Sequence, residues 1–392
     1  MPCIYCGGRR GDTKMSLEHI WPRSLGGAQA GELFRSSSVC QTCNNLAGLW
    51  VDGAYLKSWF IAAETAGAAR QFLDPTTPGI LPLTYMGMDQ EFPSPADQEC
   101  ERWIGPAGEH VYHVHFQDAD QWYGFAGGDM IRRKKLDPGR AYLVLTSKSP
   151  YWVLTGLQSF ITHFTSIGAR IYCLSKVEGM PPELANSFLD ETASTDIESK
   201  EIAWIRAAPN DKVRMMRLSV RLDFSDRFMA KLSLGLGANI LGGDYLKSLC
   251  AEELRKILWP RQMQGTSQPP KVHGSNYWKM SSTKAPFAVA GLPGAWTILL
   301  HSGPQFFSLC LLTPGGHPSV IAISDDNSLW SGEGFEQYKY GIVYFAVPQR
   351  HLFVGPVAVP RYLNHKNGHL VEPEISRLEA LRGDSALLPK QR

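Results

Sequence analysis

The chain has 392 residues, 44% of them hydrophobic and 19% charged, with a formal net charge of +2. Those totals describe a globular chain of two or three domains with ample core, and a charge so near balance supplies no global pull toward nucleic acid. No apolar run approaches the roughly 18 residues of a membrane span, and no basic-then-apolar leader opens the chain, so the expected location is the cytoplasm, where thiols stay reduced.

The first element carries the chemistry. Cys3-Ile4-Tyr5-Cys6 and Cys40-Gln41-Thr42-Cys43 are two C-x-x-C knuckles, and four thiolates suit a closed tetrahedral zinc site better than a catalytic arrangement. Glu18-His19 lies between the knuckles and Asn44-Asn45 follows the second. Zinc joining Cys3, Cys6, Cys40 and Cys43 would therefore gather an acid, an imidazole and two amides.

The run from Glu18 to Gly27, E-H-I-W-P-R-S-L-G-G, followed by C-Q-T-C-N, resembles the zinc-ribbon-containing HNH endonucleases. The resemblance covers roughly the first 60 residues. It implies a ββα-metal fold, with His19 as general base, Glu18 as acidic metal ligand and Asn44 as the terminal ligand, or Asn45 if the register shifts by one. It implies DNA as substrate, cut to leave 5′-phosphate and 3′-hydroxyl ends; RNA stays open as the other substrate. In the family an Asn a few positions before the second knuckle orients the base histidine. Here Glu32–Val39 contains no Asn, leaving Ser36 or a backbone carbonyl for that task, and Ala47 stands where the family has Lys.

The chemistry of phosphodiester hydrolysis points the same way. A neutral imidazole with a pKa of about 6.5 accepts a proton at pH 7. One carboxylate and one amide can hold a divalent ion with positions open to phosphate and water, and oxygen ligands favour Mg²⁺ or Mn²⁺ there over zinc. One site cuts one strand per engagement, so nicking is expected, and a double-strand cut requires a homo-oligomer or two successive events. A rival expectation is a zinc-stabilised nucleic-acid-binding or assembly module that has lost catalysis.

Farther along, Leu49, Trp50, Leu56, Trp59, Phe60 and Ala63 recur at near-helical intervals, and Asp74 to Pro82 breaks any regular element. His110–Phe116 alternates as a strand with His113 and His115 on one face; with no nearby carboxylate or cysteine to complete a ligand set, an ordinary strand face is expected. Ile131–Lys135 is the densest basic run, a solvated turn or a phosphate-contacting patch. Ala141–Leu145 reads as a strand and Tyr151–Phe164 as a helix with one buried face.

Val213–Leu222 is strand-like and carries Arg214, Arg217 and Arg221. Two helices follow, Ser225–Leu241 and Asp244–Trp259, split by Gly242-Gly243 and stopped by Pro260. The stretch Arg227–Gly237 loosely resembles a helix that follows HNH modules in some larger bacterial proteins. A Gly, Ser, Pro and Gln-rich linker spans 262–275, then strands are expected over 296–300, 306–312, 318–323 and 341–347, with a charged helix from Pro373 to Arg382. His365 and His369 form no second site, since no carboxylate precedes either. Cys100, Cys173, Cys250 and Cys310 are scattered singly, as small core residues are. No Walker-type loop, dinucleotide fingerprint or serine nucleophile elbow is present.

The expected class is α+β: an HNH module with a four-cysteine zinc site over 1–74, a mixed α+β domain over 83–260, and a β-rich region with a terminal helix over 277–392. The large remainder would recognise a target or a partner protein. Defence against foreign DNA, alone or with other subunits, fits by analogy only.

Overall fold

The computed structural model describes residues 2–8, 11, 14–56, 58–117, 139–207, 216–217, 223–259, 274–275, 288–384 and 387–390. The basic run Ile131–Lys135, Arg214, Arg221 and most of the 262–275 linker lie outside the described residues. The chain is mixed α and β, with its cysteine cluster at the N-terminus and a β-rich sheet toward the C-terminus. It divides into two units that are not continuous in sequence: 1–56, 68–72 and 222–383 in one; 57–67, 73–221 and 384–392 in the other. The linear division at 74–83 and 260–277 differs from this grouping, which places the helices over 223–258 with the N-terminal residues.

The first unit starts with an antiparallel pair, β1 (Met15–His19) and β2 (Arg35–Cys40), followed by α1 (Gln41–Ala47), a π-helical turn at Gly48–Asp52 and α2 (Gly53–Leu56). Glu18 pairs with Ser36 and His19 with Arg35, after a register shift between Ser16 and Glu18. Farther on lie two helices, here called αA (Asp223–Leu241) and αB (Leu249–Leu258). The second sheet of this unit is antiparallel throughout, with Trp296–Ser302 at its centre between Phe307–Leu312 and Ile342–Val347. Those strands are continuous apolar runs because one face packs on αA and the other on the terminal helices through Tyr362, Ile375 and Leu378.

Helix αA comes unusually close to its neighbours. A Cβ added at Gly235 would lie 2.7 Å from Ile20, and one at Gly237 would lie 2.4 Å from Tyr245 and 2.8 Å from Ile323. The two glycines let the helix backbone rest against the N-terminal module on one side and against the sheet on another.

The second unit is built on a six-stranded sheet. It includes β3 (Thr84–Asp89), β4 (Gln98–Ile104), β5 (His110–Phe116) and β6 (Arg140–Val144), all antiparallel in chain order, with Arg170–Cys173 added parallel to β6 and Met216–Arg217 beside β3. The helix Pro150–Thr165 covers one face through Leu157, Phe160 and Phe164, against Trp103, Val111 and Leu143. The helix Asp196–Ala207 covers the other through Ile202 and Ile205, against Tyr112, Val114 and Tyr142. Alternation along each strand feeds the two layers.

One expectation is corrected here. His113 and His115 do not form an ordinary strand face: the register sets Glu101 opposite His113 and Glu99 opposite His115, and Glu101, His113 and His115 bring one ligand atom each to within 4.8 Å of the others. Sequence proximity failed as a guide because the carboxylate comes from the neighbouring strand. Of the single cysteines, Cys100 and Cys310 are buried while Cys173 and Cys250 are only partly so. His365 is held by local bonds to Glu379 and to the Glu372 backbone N–H, as a structural residue.

Candidate nuclease site and its supports

The cysteines come together as the spacing requires. Cys3 and Cys6 flank a turn, Cys40 ends β2 and Cys43 sits in the first turn of α1; all four are buried and free of disulfides. Their sulfurs lie within 4.8 Å of one another. Tetrahedral zinc with Zn–S of about 2.3 Å sets sulfurs about 3.8 Å apart, so the cluster is the size for that ion. The Cys40 backbone N–H donates to the Cys3 sulfur at 3.3 Å. A hydrogen bond from Cys43, helped by backbone N–H groups and opposed by burial, pulls the Cys3 thiol down to about 4, while Cys43, keeping the shared proton, is pushed up. One thiolate is thus already favoured in a sulfur-only donor set, and the residues fit a structural metal such as zinc.

Successive strand residues face opposite ways, and this separates Glu18 from His19. Glu18 turns inward and is buried. Its Oε1 accepts from the Tyr5 hydroxyl at 3.1 Å and pairs with the Lys231 ammonium at 2.9 Å. Lys231 also reaches Asp52 Oδ2 at 2.7 Å and donates to the carbonyls of His19 and Ile20 at 3.2 and 3.3 Å. Two carboxylates share one buried cation here. Burial therefore pushes Asp52 up to about 7 despite Lys231, with the Glu18 charge adding to the rise.

His19 faces the other way and is partly exposed. Burial, then the neighbouring Arg23 and Arg35 guanidinium groups, hold its pKa below the ordinary imidazole value, so it is neutral at pH 7 and able to take a proton. Among the described residues, nothing hydrogen-bonds its ring. Ser36, a candidate for that orienting role, instead accepts from the Ser38 N–H at 3.2 Å. Arg35 bonds Ala28 O and Glu32, and its buried Nε has no partner among the described residues.

Asn44 is fastened to the same strand. Its side-chain nitrogen donates to Ser16 Oγ at 3.0 Å and to Leu17 O at 2.9 Å, bridging the irregular step of β1. That use of the nitrogen leaves the amide oxygen as the atom able to meet a cation. Asn45 is exposed beside it.

Three site residues escaped the sequence analysis: Arg23, Arg35 and Lys231. The arginines were visible as charges near His19 in sequence, Arg23 four residues on and Arg35 at the head of the next strand. Lys231 lies inside the Arg227–Gly237 stretch but gave no signal of its own, because its partners lie 179 or more residues away. It belongs to a stripe on αA spaced one turn apart: Lys231, Gly235 and Asn239. Gly235 admits Ile20, and Asn239 donates to Leu33 O at 2.9 Å and Arg35 O at 2.7 Å. The helix thereby holds the backbone on both sides of the His19–Arg35 pair. Arg255 in αB donates to Ile4 O, and Trp259 just beyond the helix donates to Tyr5 O, gripping the first knuckle.

Residues 3–60 match the family model described as HNH endonuclease. No curated protein and no solved structure matches the chain significantly.

Proposed function

We propose that this chain, whose residues 3–60 match the HNH endonuclease family, hydrolyses DNA phosphodiester bonds with His19 as general base. The observation that carries the proposal is the neutral, partly exposed imidazole flanked by two guanidinium groups at the end of a strand. His19 takes a proton from water as the water oxygen bonds to phosphorus; the bond to the 3′-oxygen breaks and that oxygen takes a proton from solvent, leaving 5′-phosphate and 3′-hydroxyl ends. Arg23 and Arg35 offset the charge of the phosphate. Asn44, or Asn45, and Glu18 would hold an Mg²⁺ or Mn²⁺ ion, which when bound supplies charge stabilisation at the leaving oxygen. Oε1 of Glu18 is already committed to Tyr5 and Lys231, so ligation by this residue would fall to its other oxygen. The sheets outside residues 3–60 would recognise a target or partner, and a cytoplasmic role in defence against foreign DNA, alone or with other subunits, is the biological setting this reading favours. Among the described residues no helix is long and apolar enough to cross a membrane.

A second reading is supported by the same geometry: the inward, ion-paired Glu18 and the unsupported His19 ring suit a zinc-stabilised binding or assembly module without catalysis. Supercoiled plasmid with Mg²⁺ or Mn²⁺ separates the two. Wild type converting it to open circles, with His19→Ala inactive but folded and zinc-loaded, supports the nuclease; retention on DNA or RNA without any cleavage supports the binding module.

A further inference from the structure

We propose that Glu101, His113 and His115 form a second metal site, for a divalent first-row transition ion such as Zn²⁺, in the sheet of the second unit. The three residues are buried, with side chains at most 8% exposed, and none is part of the HNH match. They lie on one face of the sheet because Glu99 and Glu101 on β4 stand directly opposite His115 and His113 on β5. On that face the apolar layer under the helix Pro150–Thr165 ends at Phe164, whose ring centroid is 5.1 Å from that of His113. Beyond it the sheet carries this polar square.

The tautomer of His115 points to a cation. Its Nδ1 lies 2.8 Å from the carbonyl of Phe116, an acceptor only, so Nδ1 carries the proton. A neutral ring then leaves a lone pair on Nε2. That atom is buried, faces Glu101 Oε1 at 3.5 Å and has no hydrogen-bond partner among the described residues. A lone pair set against a carboxylate oxygen is unfavourable unless a positive charge lies between them. His113 Nδ1 approaches the other oxygen, Oε2, at 3.0 Å.

Metal–ligand distances near 2.1 Å in a tetrahedron separate donor atoms by about 3.4 Å, the scale of both contacts. A ring N–H bonded to a backbone carbonyl is also the usual support of a ligating histidine. Gly139, at φ +72°, keeps the flank of His115 open, since a Cβ there would lie 3.0 Å from His115 Cα and Cβ. Glu99 Oε1, 4.0 Å from the same Nε2 and 26% exposed, marks the side from which an ion enters and a fourth ligand is supplied. Two imidazoles and a carboxylate favour transition ions over Mg²⁺ or Ca²⁺.

The test uses the full chain, reconstituted with Zn²⁺ and dialysed, with zinc counted per chain by mass spectrometry. Glu101→Gln and His115→Gln should each carry one ion fewer than the parent, with the four-cysteine site retained in both. Equal zinc in all three proteins overturns the proposal and leaves a proton as the cation between the histidine and the carboxylate. Because either substitution can unfold the sheet, the unaltered protein is also measured by zinc-edge X-ray absorption. A first shell mixing sulfur with nitrogen and oxygen is expected; a shell of four sulfurs alone overturns the site.

Discussion

Replacing Lys231 with Met tests whether αA supports the nuclease module electrostatically. The substitution keeps the length and bulk of the side chain but removes the cation that meets Glu18 at 2.9 Å and Asp52 at 2.7 Å. Removing one partner of a buried ion pair costs about 3–5 kcal/mol because the other charge is left uncompensated. The structure gives that cost a pH dependence. Asp52 already titrates at about 7 and becomes neutral at little further expense. Neutralising the carboxylates left without their cation becomes easier as pH falls, so the loss shrinks below neutrality. Loss of the bonds to the His19 and Ile20 carbonyls adds about 1–3 kcal/mol at either pH. Urea unfolding followed by tryptophan fluorescence is a suitable assay, since Trp21 and Trp296 pack near αA with centroids 5.8 Å apart. Lys231→Met should lose about 4 kcal/mol or more at pH 7 and recover most of the electrostatic part at pH 5. An equal loss at both pH values, or a loss under about 1 kcal/mol at pH 7, refutes the buried-cation account.

Gly235→Ala gains about 1 kcal/mol of helix propensity but drives a methyl into Ile20, so a net loss of about 1–3 kcal/mol is expected, largely relieved in the double variant with Ile20→Ala; additive losses in a double-mutant cycle would exclude the clash. In the second unit, burial raises Glu198, but bonds from Arg170 at 2.8 and 3.2 Å and from the Thr195 N–H outweigh it and hold the carboxyl down at about 2. A depressed carboxylate stabilises above its unfolded pKa of about 4.3 and loses that contribution as pH falls through about 2, so Arg170→Met should flatten the acid dependence of the melting temperature across that window. Stripping metal with a thiol-competing chelator should lower the melting temperature of the protein and expose reactive thiols on Cys3, Cys6, Cys40 and Cys43; thiols that stay unreactive would argue against a thiolate-held ion.

What the sequence revealed was what is local or periodic. The cysteine pairs sit on two turns whose spacing alone announces a metal, and Glu18-His19 is contiguous. The strands at 296–300, 306–312, 318–323 and 341–347 are apolar runs bounded by Gly and Pro, and they appear where expected. Gln98–Ile104 carries Glu99 and Glu101 on the face it shares with Trp103, and Thr84–Asp89 has Gly87 and Asp89 at two of its three buried positions, which in both breaks the apolar alternation a strand normally shows. The partnership of Glu101 with His113 depends on strand register, and that of Lys231 with Glu18 on tertiary docking; neither leaves a trace in local spacing. The inward turn of Glu18 follows from strand geometry and was hidden by the motif's own familiarity: adjacent residues in a strand cannot share a face.

The stripe of Lys231, Gly235 and Asn239 also sets an order of events during synthesis. Chain emerging from a ribosome presents residues 3–56 long before residue 231, so until αA appears Glu18 and Asp52 lack their counter-ion, and the backbone flanking His19 is held by its strand pairing without the bonds from Lys231 and Asn239. Contacts of such sequence separation form late in folding. A fragment ending after residue 60 but ahead of αA, whether a nascent chain or a truncated product, therefore contains every residue of the HNH match and still lacks the part that sets it in place.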